Sequence, residues 1–399
     1  MPWRPLLQGA RAARARAAIA RLAGRGSRRR KPVAGPGLAL GTAGVAVMHA
    51  YLARAHRDAA ALRRARRHLR TALLALASDE LTGALSTGLP GIAWAMAHLD
   101  REGLVKGDEV LAADLDRALL GAVRGKVWRG DLDLFQGVVG IGLAALERLP
   151  RPDARSALEH VVRHLDEAAV RVRPGLAWPS AHYETGALQY VLGVAHGSAG
   201  MIGFLAHLVE LGVAPRRSRR LLDGAVSLLL AQELPRGATC RFPAALVPGE
   251  APEPCRSAWC HGDVGIATQL WLAGRRAREP AWARVALRVA RDAAARSFED
   301  AWNFEPVLCH GSLGTAHLLN RLFQATGDPA LRRGAVRHLE HGLRLWRDAE
   351  SGARPYRDHG QRGLSVGDAG LALVLLAATT AVEPSWDRFM SVALPPRNT

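Results

Sequence analysis

Aromatic residues are scarce in this chain. Phe, Trp and Tyr make up 5% of 399 residues, whereas Ala and Leu dominate a hydrophobic fraction of 49%. That balance predicts a core of helix packed on helix rather than a sheet sandwich. Cysteine is scarce too, with Cys240, Cys255, Cys260 and Cys309 the only four. Four thiols in a chain this long do not make a disulfide framework, and reduced thiols in the cytoplasm are expected. A Cys240–Cys255 bridge is conceivable from the spacing. Long apolar runs are missing: stretches such as Leu371–Ala378 fall far short of the roughly 20 residues a bilayer span needs. No apolar h-region marks a secretory signal. Membrane association is therefore expected only through partners.

Acid is absent before Asp58, while residues 1–31 carry ten Lys or Arg. Removing them takes the net charge from +18 to near +8. A basic surface attracts nucleic acid, anionic lipid or acidic peptide. No nucleic-acid recognition motif is present, so nucleic acid is not an expected partner. Residues 1–31 are expected to form a basic arm or a first outer helix, and 32–399 a single domain.

Glycine, in contrast, is organised. Gly-x-x-Gly occurs at Gly41–Gly44, Gly88–Gly91, Gly137–Gly140, Gly197–Gly200, Gly262–Gly265, Gly311–Gly314 and Gly367–Gly370, at spacings of 47 to 65 residues. A quasi-regular period near fifty residues marks a repeat architecture. Apolar runs follow each turn: Val45–Ala53, Ile92–Leu99, Ile141–Leu149, Met201–Leu211, Ile266–Ala273, Thr315–Phe323 and Leu371–Ala378. They read as buried inner helices. Between them lie amphipathic outer helices over Arg57–Leu76, Glu109–Ala122, Arg155–Val170, Arg216–Gln232, Ala281–Ser297 and Pro329–Leu345, with Ala10–Ala23 as a weaker seventh. Outer helix, glycine turn and inner helix make one hairpin. The expected fold is all-α: seven such hairpins closed into an α/α toroid with the glycine turns at its mouth. Glycine is expected to supply positive φ and close backbone approach there. The alternative is an open helical solenoid, whose turns would not converge.

The chemistry gathers at the turns. Trp259-Cys260-His261-Gly262 opens the fifth, Cys309-His310-Gly311 the sixth and Ala195-His196-Gly197 the fourth. Cys260, Cys309 and His310 offer two thiols and an imidazole at adjacent turns. Three such ligands suit zinc and leave the fourth tetrahedral position open for chemistry. Cys240 and Cys255 read instead as small core residues. His196 is a candidate general acid or base. Asp133, four residues before Gly137, can orient it, with Asp131 a competing choice. Arg256, four residues before Cys260, can stabilise negative charge. A glycosidase would need a carboxylate pair in the cavity, which only Asp131 and Asp133 suggest. The aspartate-rich metal motif of a terpene cyclase is missing.

Together these residues resemble the lanthionine synthetase C family, the cyclases of lanthipeptide (lantibiotic) biosynthesis. The likeness covers about residues 36–380. The family's Trp-Cys-Tyr-Gly-x-Pro-Gly phrase falls on Trp259–Gly265, and its Cys-His-Gly phrase on Cys309–Gly311. His261 stands where the family has Tyr, and Val264 where it has Pro. The resemblance implies zinc at Cys260, Cys309 and His310, with His196, Asp133 and Arg256 as catalytic residues. It implies addition of peptide Cys thiols to dehydroalanine or dehydrobutyrine, giving (methyl)lanthionine rings. A dehydrated precursor peptide of leader and core is the implied substrate, with a dehydratase and an exporter as possible complex partners. The basic segment 1–31 is a candidate holder of an acidic leader or of the dehydratase. Two alternatives stay open: a relative that binds glutathione or another thiol without forming rings, and a scaffold with a structural zinc.

Overall fold

The computed structural model describes residues 2–24, 33–77, 81–182, 184–235 and 237–392. Among them the inner helices are α2 (Thr42–His56), α4 (Leu89–Arg101), α6 (Val138–Glu147), α8 (Ser198–Glu210), α10 (Asp263–Arg276), α12 (Ser312–Thr326) and α14 (Asp368–Thr379). The outer set is α1 (Gly9–Ala23), α3 (Ala59–Leu74), α5 (Glu109–Val123), α7 (Pro152–Ala168), α9 (Pro215–Ala231), α11 (Pro280–Ala295) and α13 (Pro329–Ser351). Every apolar run and every amphipathic segment read from the sequence is helical within a few residues of its expected bounds.

The two sets differ in burial as their compositions require. On α10 every residue from Asp263 to Gly274 is buried. On α13 only one stripe is, through Leu331, Gly334, Ala335, His338, Leu339, Gly342, Leu345, Trp346 and Ala349. Such a stripe buries an apolar face while the charged face stays in water. Local signals set the ends of α13. The Asp328 carboxylate accepts from Ala330 N–H at 2.8 Å, Pro329 opens the first turn, and Gly352 closes the helix at φ 84°.

Two compact units divide the chain. One lies within Met1–Leu115 and Asn303–Asp387, the other within Asp116–Trp302 and Arg388–Pro395. In the first unit α12, α14, α2 and α4 follow one another as neighbours. In the second, α6, α8 and α10 do so. The pairing differs from the expected hairpin in one respect. The most extensive helix pairs are α2 with α3, α8 with α9, α10 with α11 and α12 with α13. The inner helices α2, α6, α8, α10 and α12 thus pack on the outer helix that follows them, whereas α4 packs on α3, the one before it. The first outer helix, α1, is left to the last inner one, α14. Trp3 Nε1 donates to Ala377 O at 2.7 Å, and the N–H groups of Leu6 and Leu7 donate to Ala378 O at 2.9 Å. Residues 25–32, the rest of the basic segment, lie outside the described residues.

Of the two roles expected of the glycines, positive φ and close approach, the turns use only the second. The first glycine of all seven turns is the N-cap of its inner helix, and none has φ in the left-handed region. Close approach is what requires them. A Cβ on Gly311 would collide with Glu305 O, and one on Gly314 with Leu308 O. The carbonyl six residues back occupies the space a side chain would fill.

The two longest repeat spacings hold the only strands among the described residues. β1 (Val170–Val172) pairs antiparallel with β2 (Gly175–Ala177), Val170 opposite Ala177. β3 (Ser180–Ala181), β4 (Leu188–Val191) and β5 (Ala245–Leu246) form a second antiparallel sheet in the order β3-β4-β5, Tyr190 opposite Leu246. β4 runs directly into the turn that carries His196.

Candidate metal and acid–base site

A main-chain ladder positions the turns. The residue two before the first glycine donates its N–H to the equivalent carbonyl of the next turn. Ala39 donates to Ser86 at 2.8 Å, Phe135 to Ala195 at 3.1 Å, Ala195 to Cys260 at 3.1 Å, Cys309 to Ser365 at 2.8 Å and Ser365 to Ala39 at 2.9 Å. Cys260 and Cys309 both occupy this ladder position, and His196, His261 and His310 the one after it. The repeat thus fixes where each side chain begins.

In the second unit, Asp133 and His196 form a pair. One Asp133 oxygen accepts from Phe135 N–H at 2.7 Å and Gln136 N–H at 2.6 Å. The other lies 3.0 Å from His196 Nδ1. Because the carboxylate accepts, Nδ1 carries the hydrogen and the lone pair sits on Nε2. Burial pulls the His196 pKa down, but the hydrogen bond and charge of Asp133, aided by Cys260 and Asp131, outweigh it and leave the ring above its ordinary value. The competition between the two aspartates is thereby resolved geometrically: Asp133 holds the ring, and Asp131 acts only through its charge. Phe135 packs edge-on against both His196, at 5.9 Å between centroids, and Trp259, at 5.6 Å. Trp259 is buried and donates Nε1–H to Met390 O at 3.0 Å.

His261 stacks on His196 at 5.7 Å with 21° between the rings. Its pKa is lowered, chiefly by burial, with His196 and Arg256 adding repulsion against the raising charges of Cys260 and Asp133. Arg256 is half-buried, within electrostatic reach of His261. Behind it, Asp263 anchors the loop: it accepts from Arg241 N–H at 2.8 Å and Phe242 N–H at 3.1 Å and pairs with Arg296. Cys240 and Cys255 are free and buried, with Cys255 N–H 3.2 Å from Cys240 Sγ.

In the first unit, Cys309 is half-buried and His310 Nε2 lies 2.9 Å from Glu305 Oε2 and 4.0 Å from Asp358 Oδ2. Neither acid was singled out from the sequence. A signal for Glu305 existed: it stands six residues before the first glycine, the offset Arg256 has at the fifth turn.

Of the three expected metal donors, Cys260 lies in the second unit and Cys309 and His310 in the first. The donors fit zinc: two sulfurs and one imidazole nitrogen, soft and borderline ligands that select it over oxygen-seeking cations.

The family model described as lanthionine synthetase C-like protein matches residues 32–391, and the chain belongs to that family. Among solved structures, nisin cyclase matches with a TM-score of 0.77 at 19% identity, over 94% of this chain and 97% of that one. The likeness bears out the all-α, α/α toroid class. No curated protein sequence matches the chain. No helix among the described residues is long and apolar enough to cross a membrane.

Proposed function

We propose that this chain is a zinc-dependent lanthipeptide cyclase, with Cys260, Cys309 and His310 as metal ligands and His196, Asp133 and Arg256 as catalytic machinery. One observation carries the reading: in a chain of this family, Asp133 lies 3.0 Å from His196 Nδ1 and sets it as an acid–base couple. A resident zinc supplies the Lewis acidity that keeps a peptide thiol deprotonated at neutral pH. The thiol sulfur adds to the β-carbon of dehydroalanine or dehydrobutyrine, and the C=C electron pair moves toward the carbonyl. Arg256 stabilises the negative charge that develops on that oxygen. His196 delivers a proton from Nε2 to the α-carbon, while Asp133 keeps Nδ1–H in place and favours the protonated ring. The S–H hydrogen is thus replaced by the S–Cβ bond, one proton ends on Cα, and nothing leaves.

The addition conserves mass, which sets the test. Zinc-loaded protein incubated with a dehydrated precursor peptide is expected to remove the peptide's alkylatable thiols without changing its mass. Persistence of those thiols, alongside capture of glutathione or another small thiol, would overturn cyclisation in favour of thiol binding. Within this reading the precursor, bearing leader and core, is the partner. A dehydratase must act before this step, because its product is the acceptor.

A further inference from the structure

The His310 ring, a ligand in the metal site proposed above, also belongs to a group with Glu305 and Asp358 that can hold a metal ion. A neutral imidazole offers one N–H and one lone pair, so its tautomer decides which side it can ligate. We propose that Glu305 is a positioning residue that fixes this tautomer and thereby leaves Nδ1 as the nitrogen that His310 offers a metal. The proposal rests on the metal assignment above.

Glu305 accepts at 2.9 Å from His310 Nε2, and Asp358 adds a second carboxylate at 4.0 Å. Carboxylate oxygens accept, so the hydrogen is on Nε2 and the lone pair on Nδ1. A ring that gives its Nε2–H to Glu305 cannot also ligate from Nε2. The carboxylate side is thereby closed as a ligand set, and Nδ1 is the nitrogen left to ligate. Glu305 is well held for this task. Its carbonyl accepts from Ser312 N–H at 2.9 Å and occupies the space that a Gly311 side chain would need. The same glycine turn therefore fixes Glu305, Cys309 and His310 against one another. A carboxylate on the far nitrogen of a ligating imidazole also raises its basicity and restrains its rotation, and losing such a partner typically costs about 10–100-fold in metal affinity.

The test uses the full chain, with zinc affinity read by competition against a chromophoric chelator. Co(II) substitution supplies a second readout, because thiolate ligation produces intense near-ultraviolet charge-transfer bands. Wild-type protein is expected to bind one Co(II) with those bands. Glu305→Ala is expected to lose about 10–100-fold in zinc affinity. Glu305→Gln keeps an acceptor oxygen for Nε2–H and is expected to recover most of the loss. A merely structural role would not separate the two variants in this way. Equal affinity in Glu305→Ala and wild type would overturn the positioning role while leaving the metal site standing. A Glu305→Gln loss as large as that of Glu305→Ala would also overturn it. Wild-type Co(II) protein without thiolate bands would overturn the metal assignment itself, and this inference with it.

Discussion

At the fifth turn Arg256 stands six residues before the first glycine; at the sixth, Glu305 holds the same place. Both turns then present a cysteine, a histidine and a glycine in the same order. Their surroundings differ. His261 is stacked on His196, and burial, with Arg256 contributing, lowers its pKa. His310 faces Glu305 and Asp358 instead. The backbone repeat sets four equivalent side-chain origins, and the charge at the leading position assigns the histidine its work. A cation there disfavours protonation of the neighbouring ring. A carboxylate instead takes the hydrogen of its ring's Nε2.

That contrast can be broken from either side. The largest effect is expected from Cys309→Ala, which should abolish stoichiometric zinc by elemental analysis while the Asp133–His196 pair stays intact. One zinc per chain retained in that variant would sink the ligand assignment. Next comes His196→Ala, which should keep its zinc and lose about 10²–10⁴-fold in ring-forming rate. Undiminished cyclisation would remove His196 from the mechanism. Asp133→Asn should cost less, about 10–100-fold, and should lower the His196 pKa, since burial then acts with less to oppose it. An unmoved NMR titration midpoint for His196 would contradict the pairing.

The smallest effect sharpens the contrast from outside the site. Burial, aided by nearby arginines, holds His68 down to about 4; burial, with Arg337 and His341, holds His338 down to about 3. Both rings stay neutral in the fold but take protons once unfolded below about pH 6.5. In that window the unfolded chain binds more protons, so stability falls as pH drops from about 6.5 toward these values. His338→Gln should flatten the difference in denaturation midpoint between about pH 7 and about pH 5. An unchanged difference would show that His338 carries none of it.

Much of this molecule was legible in its sequence, because glycine spacing and apolar periodicity both report a repeating backbone. Cys260, Cys309 and His310 could be grouped before any coordinates, since they share offsets at adjacent turns. Three things were not legible. Periodicity names helices but not partners, so it does not tell that α2, α6, α8, α10 and α12 pack on the outer helix that follows them. The close approach expected at the glycines is there, under a carbonyl six residues back, but the positive φ expected with it is not. Glu305 and Asp358 were overlooked because a lone acid before a turn reads as a solvated charge. Only the fold brings their oxygens to His310.

The pairing of α1 with α14 has a consequence for synthesis on the ribosome. The unit carrying Asp133, His196 and Cys260 is drawn almost wholly from one continuous stretch, Asp116–Trp302. The unit carrying Cys309 and His310 is split between the beginning of the chain and residues beyond Asn303. Domains fold as units as the chain emerges, so the acid–base pair can form while the ribosome is still making the sixth and seventh turns. The groove on α14 does not yet exist when α1 leaves the exit tunnel. Trp3, Leu6 and Leu7 must wait, with their apolar surface uncovered, for nearly the whole chain to be made. Cys309 and His310 therefore sit in the unit that needs both ends of the chain before its helices can pack.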